Sequence, residues 1–234
     1  MITARTILSK EECMQVHKTV HQLRKHWTRR AQPPSPFFTL GAASYRDAAE
    51  TSEGYTCKAQ QDNGVLWEHF EWLYERVRTA VEQYVGGPAV YKAEFALPGY
   101  HIWLAPAIIT QPVAPMHFDL QYRRLPWSSS ESPDATRPLS FTLPIHLPQQ
   151  GGGLNWWDIT YEEFAAAYEL GLVKSPADVK RAMRYYPYTC GQLVLHSGQM
   201  LHQIAPTAEV QETDERITLQ GHGLYCHGQW QLYW

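Results

Sequence analysis

Apolar positions near the start of the chain recur at helical spacing. Cys13, Val16, Val20, Leu23 and Trp27 are three or four residues apart, which predicts a helix over residues 9–30 with one apolar stripe. Ser9-x-x-Glu12 forms a capping box at its start, and Pro33, Pro34 and Pro36 end it. His17, His21, Lys25 and Arg29 lie mostly off the stripe. Histidines four apart can share a metal, but the sequence places no third ligand beside them, so a solvated face is expected. A second stripe, Leu66, Phe70, Leu73, Tyr74, Val77, Val81 and Tyr84, predicts a helix over residues 64–85, closed by Gly86-Gly87-Pro88. Between the two, residues 37–41 read as a strand and residues 45–63 as a polar, turn-rich loop.

From about residue 90 the period changes to two, and strands follow. In residues 90–109, Tyr100, Ile102 and Leu104 share one face, and His101 and Trp103 the other. Residues 127–138 carry Ser, Pro, Asp and Glu and predict a loop. A strong strand covers 139–147, and glycines at 151–153 turn into the next, with Asn155 and Trp157 on one face and Leu154 and Trp156 on the other. Thr160-x-x-Glu163 caps a helix over 161–170, and Ser175-Pro176 predicts another through about Tyr185. The chain closes with strands at 192–195, 200–204 and 216–221 and a hairpin over 223–234.

Composition narrows the possibilities. Nine Trp and fourteen Tyr suit a β-rich protein with a roomy pocket. A net charge of −3 without a basic block argues against a nucleic-acid surface. Cys13, Cys57, Cys190 and Cys226 are widely spaced, as expected of reduced thiols in a cytoplasmic protein. The N-terminus lacks a charged-then-apolar signal pattern, and no apolar run approaches membrane length.

The candidate chemistry sits in the strand-rich part. In His117-Phe118-Asp119 an imidazole and a carboxylate fall on one face of an extended segment. Eleven histidines make one such pair unremarkable, but further polar strand positions follow. His202 lies after a tight turn at Ser197-Gly198, and Arg216, Thr218 and Gln220 alternate on one face of a later strand. Two His and one carboxylate with open positions opposite suit non-haem Fe(II). A buried arginine can hold a carboxylate bidentately.

The ordered set H-x-D, a Gly-Gly strand, G-x-L-x-L…G-x-x-L-H and R-x-T resembles the Fe(II)/2-oxoglutarate-dependent oxygenase superfamily, over roughly residues 100–220. The resemblance implies a mainly β fold with α additions, a double-stranded β-helix (jelly-roll, cupin-like) core. A single oxygenase domain over 1–234 is expected. Its residues 1–88 would be helical support and 89–234 the core, with a helical insertion at about 160–186. By the same resemblance His117, Asp119 and His202 bind iron, Arg216 pairs with the distal carboxylate of 2-oxoglutarate, Thr218 adds a hydroxyl donor and Tyr100 is a further donor. His101 reads as a core histidine. The implied cofactors are Fe(II), 2-oxoglutarate and O2. Related halogenases replace the carboxylate with a small residue, so Asp119 favours hydroxylation, with desaturation or ring formation open. The nucleic-acid demethylase branch carries a second arginine where this chain has His222. The expected substrate is a small molecule of amino-acid or natural-product type. The alternatives are a peptide or protein side chain, and a cupin-like binding protein without oxygenase activity.

Overall fold

The computed structural model describes residues 1–31, 35–48, 52–105, 107, 114–207 and 209–234. In chain order the elements are β1 (Thr3–Thr6), α1 (Lys10–Gln22), β2 (Thr28–Arg29), β3 (Phe37–Leu40), α2 (Ser44–Asp47), α3 (Ser52–Val85), β4 (Ala89–Tyr91), β5 (Gly99–Leu104), β6 (Asp134–His146), β7 (Leu154–Thr160), α4 (Tyr161–Glu169), β8 (Met183–Tyr186), β9 (Gln192–Ser197), β10 (Met200–Ile204), β11 (Glu215–Cys226) and β12 (Gln229–Tyr233). They form the jelly-roll core expected of this sequence. A nine-stranded sheet runs β1-β9-β6-β11-β5-β3-β2, with β12 joining β11 to β4, and a three-stranded sheet runs β10-β7-β8.

The strand alternation decides what each face of the large sheet does. Tyr100, Ile102, Leu143, Leu193, Ile217 and Leu219 are buried in the main apolar cluster with the stripes of α1 and α3. Burial of such side chains contributes about 1.5–3 kcal/mol each. The opposite face carries His101, Trp103, Ser140, Thr142, His196, Arg216, Gln220 and His222, and looks into a cavity.

Several expectations change. The first helix is shorter than residues 9–30: α1 ends at Gln22, a 3-10 turn follows at Arg24–His26, and β2 begins at Thr28. The N-terminal region is not only helical, because β1 pairs with β9 and β3 with β5. Part of the predicted loop at 45–63 is helical, as α2 and as the first turns of α3. Tyr55 and Ala59 are fully buried there, and the Tyr55 hydroxyl donates to the Trp234 carbonyl at 3.1 Å while accepting from the Ala96 N–H at 2.9 Å. These tertiary anchors hold as helix a stretch whose composition reads as loop. The backbone departs from helical geometry at Phe70 (φ −132°, ψ 16°), so α3 is two helices meeting at a kink.

The predicted helix from Ser175 to about Tyr185 does not form. A 3-10 turn covers Pro176–Asp178, and the chain then pairs as β8 with β7 in the register Leu154↔Tyr186 to Trp157↔Met183. Cross-strand contacts, including Arg184 over the Trp156 ring at 4.9 Å, outweigh helix propensity here.

Candidate active site

The cavity between the two sheets has a volume of about 510 Å3. Two chain segments bring the predicted iron-binding residues to its wall. The segment carrying His117 makes an isolated antiparallel bridge to β10. The His117 N–H donates to the His202 carbonyl at 2.9 Å, and the His202 N–H donates back at 3.0 Å. Two residues on, the Asp119 N–H donates to the Gly198 carbonyl at 2.8 Å. The turn between β9 and β10 thus templates the triplet. Glycine suits that turn, because a Cβ at Gly198 would stand a tight 3.0 Å from the Asp119 carbonyl oxygen.

The ligating atoms of His117, Asp119 and His202 all lie within 4.8 Å of one another. His202 Nε2 is 3.3 Å from Asp119 Oδ2, and His117 Nε2 is 3.8 Å from Oδ1. Backbone carbonyls set the tautomers. His117 Nδ1 is 2.8 Å from the Pro115 carbonyl and His202 Nδ1 is 2.9 Å from the Met200 carbonyl. A carbonyl only accepts, so each Nδ1 carries the proton and each Nε2 offers a lone pair. The carboxylate is oriented too: Ser140 Oγ donates to Oδ2 at 2.6 Å and Gln121 Nε2 to Oδ1 at 2.9 Å.

The electrostatics agree. Burial alone would raise the Asp119 carboxyl, but His202, His222 and His117 around it hold it well below the usual range. Burial pulls His202 down to about 3, against the opposing pull of Asp119, so its ring is neutral. The set is therefore one anionic oxygen and two imidazoles that turn Nε2 toward it, His202 being neutral, which is the donor chemistry a divalent iron takes.

Arg216 enters the same cavity and is 2% exposed. Its Nε donates to the Gly152 carbonyl at 3.1 Å and its Nη1 to Thr218 Oγ1 at 3.4 Å, and the guanidinium stands over the Tyr188 ring at 5.9 Å. Gly152 has φ +73°, a conformation that suits glycine and aims this carbonyl. Burial lowers Arg216 to about 10, so it is charged at neutral pH. No carboxylate among the described residues pairs with it. A buried cation without an acid partner is costly unless an anion arrives to meet it.

Two expected residues fall elsewhere. Tyr100 is fully buried on the other face of β5, against Phe70 at a ring distance of 5.0 Å, and does not line the cavity. Its neighbours His101 and Trp103 do, so His101 is a cavity wall rather than a core histidine. The Tyr45 hydroxyl stands 2.6 Å from His101 Nε2. Thr218 is also fully buried. Its hydroxyl oxygen accepts from Arg216 and Gln220 behind the cavity wall, so it supports Arg216 rather than facing a ligand. Arg181, Arg184, Tyr185 and Tyr186 are not among the lining residues, whereas Tyr188 is.

Ser140, Gln121 and Tyr188 carried no assigned role in the sequence. Gln121 stands two positions after Asp119, but it is the 3-10 turn over Gln121–Arg124 that brings its amide to the carboxylate. Ser140 had no local signal, because only the β6–β11 and β6–β9 registers set it opposite His222 and His196.

No known family profile matches the chain, and no functionally curated protein matches its sequence. Solved structures do match. The non-haem alpha-ketoglutarate-dependent epimerase SnoN of nogalamycin biosynthesis superposes with a TM-score of 0.53 at 12% identity, over 94% of this chain and 76% of that one. An N-substituted L-amino acid dioxygenase from Burkholderia ambifaria AMMD, in complex with alpha-ketoglutarate, gives 0.53 at 16% identity, over 99% and 85%. EvdO2 from Micromonospora carbonacea var. aurantiaca, complexed with 2-oxoglutarate, gives 0.51 at 14% identity, over 97% and 87%. SnoN has also been seen with Fe3+, alpha-ketoglutarate and nogalamycin RO. At these identities the likeness establishes the fold.

Proposed function

We propose that this protein is an Fe(II)/2-oxoglutarate-dependent oxygenase that hydroxylates an unactivated C–H bond of a small molecule. The overall reaction is substrate, O2 and 2-oxoglutarate giving hydroxylated substrate, succinate and CO2. The observation that carries this reading is the pairing, in one cavity, of a preorganised His-Asp-His set with a buried arginine that has no acid partner. A cupin-like binding protein has no evident use for that arginine.

His117 Nε2, His202 Nε2 and an Asp119 oxygen would hold the iron. When bound, the metal supplies the activation of O2 coupled to decarboxylation of 2-oxoglutarate. The chain supplies everything that positions the reactants. Arg216 offers two N–H donors to the distal carboxylate of 2-oxoglutarate, and Thr218 and Gly152 hold the guanidinium. Phe37, Trp103 and Leu154 line the cavity with apolar surface and exclude water. Tyr45, Arg46, Gln121 and Arg124 add polar groups to the same wall, suited to a polar or anionic substrate end. A volume of about 510 Å3 suits 2-oxoglutarate and a compact substrate of amino-acid or natural-product type.

The test is an anaerobic titration of metal-free protein with Fe(II) and then 2-oxoglutarate, followed by visible absorption. A weak charge-transfer band that needs both components supports the reading. Iron bound without any such band refutes the 2-oxoglutarate site. Succinate release is then screened across N-substituted amino acids and natural-product-type compounds. A product heavier by one oxygen identifies hydroxylation. A product of unchanged mass identifies epimerisation, the reaction of the similarly folded SnoN.

A further inference from the structure

A second cluster of metal-binding side chains lies outside the cavity. His17 and His21 are four residues apart on α1 and project from one face of the helix. Both Nε2 atoms converge on a single oxygen, Glu215 Oε2, at 2.9 Å and 2.8 Å. Glu215 is the first residue of β11, so its side chain leaves the sheet on the face opposite Arg216. The ligating atoms of His17, His21 and Glu215 lie within 4.8 Å of one another, the same limit that the cavity triad meets. His146 of β6 stacks on His17 with ring centroids 4.7 Å apart and packs the cluster from the side.

We infer that His17, His21 and Glu215 form a second divalent-metal site, of the Zn(II) class, which staples α1 to the start of β11. Three physical features argue for it. Two imidazoles and one carboxylate with a fourth position for water are a recurrent zinc donor set. Tetrahedral coordination at about 2.0–2.1 Å separates donors by about 3.3 Å, so the two nitrogen–oxygen spacings of 2.9 Å and 2.8 Å need to open by only about half an ångström. The side chains are partly exposed, 30% and 31% for the histidines and 22% for Glu215, so an ion reaches them directly from solvent. Without metal, each imidazole uses an Nε2 proton to meet the carboxylate. With metal, that proton moves to Nδ1 and the ion replaces two hydrogen bonds with three coordinate bonds.

The consequence is mechanical. The two elements joined come from opposite ends of the chain, and β11 carries Arg216 at the next position. An ion here braces the strand that positions the 2-oxoglutarate-binding arginine without touching the cavity. It also stabilises the folded chain by mass action.

The experiment is an anaerobic Co(II) titration of the full chain, read by visible d–d absorption and by bound equivalents after desalting. The expected result is two equivalents for the wild type and one each for His21→Ala, Glu215→Gln and His202→Ala. The His202→Ala/Glu215→Gln double variant should bind none. Glu215→Gln preserves size and one acceptor oxygen, and circular dichroism checks that each variant folds. Zn(II) should raise the Tm of His202→Ala and leave that of the double variant unchanged. One wild-type equivalent that His202→Ala removes and Glu215→Gln retains, or two equivalents retained in both His21→Ala and Glu215→Gln, overturns the second site. One wild-type equivalent that Glu215→Gln removes and His202→Ala retains would instead be a failure of the cavity triad, so the two readings fail separately.

Discussion

Two clusters in this molecule use the same donors, a pair of imidazoles and a carboxylate, and their surroundings make them different. Around His117, Asp119 and His202 the backbone carbonyls of Pro115 and Met200 take the Nδ1 protons, so both Nε2 atoms are committed as ligands before any metal arrives. At His17, His21 and Glu215 the Nε2 protons point at the carboxylate itself, and a metal must displace those contacts. The triad's carboxylate is 7% exposed, is held by Ser140 and Gln121, and shares its cavity with Arg216. The residues of the helix cluster do not line that cavity. Residue types alone make a metal site; tautomer control, burial and a neighbouring cation make a candidate reaction centre.

The comparison can be broken most sharply at the triad. His117→Ala or His202→Ala should abolish cavity iron binding and all turnover, measured by iron content and succinate release; full activity in either removes the ligand assignment. Arg216→Ala comes next. Losing two charge-assisted hydrogen bonds of about 1.5–3 kcal/mol each should weaken 2-oxoglutarate binding on the order of 100-fold or more, with iron retained. Because Arg216 has no acid partner in the described structure, the variant should also keep or raise its Tm, which a structural ion pair would not allow. Ser140→Ala removes the hydroxyl that orients Asp119. Iron affinity should fall roughly 10–100-fold while the helix cluster keeps its own metal affinity, and an equal loss at both clusters would mean a general folding effect. The smallest effect is expected for Tyr100→Phe. The Tyr100 hydroxyl is buried without a partner and faces α3, so 2-oxoglutarate affinity should not change and stability should shift by no more than about 1 kcal/mol. A tenfold loss of 2-oxoglutarate affinity in that variant would put Tyr100 back at the cavity.

Much of this was legible in the residues. The H-x-D triplet, His202 after its Ser-Gly turn and Arg216 at the head of an alternating strand were each visible locally, and the structure brings them to one cavity. Alternation also showed that Tyr100 and His101 face opposite ways. It could not say which way is inward, because a period of two has no sign. Packing decided it: Phe70 of α3 covers Tyr100, which leaves His101 to the cavity. Helix periodicity placed His17 and His21 side by side, but their third partner lies nearly two hundred positions away, with a separation of 194 for His21 and Glu215. No local signal crosses that distance.

The sequence by itself therefore determined which side chains share a face and which segments carry donor atoms, since backbone geometry makes both properties local. The tertiary structure alone decided which faces meet. It set Ser140 opposite His222 and within reach of Asp119, drew β8 out of an expected helix, and joined α1 to β11 through Glu215. Those outcomes depend on strand register and sheet closure. They are set by burying many apolar side chains at once, and no single stretch of the chain encodes them.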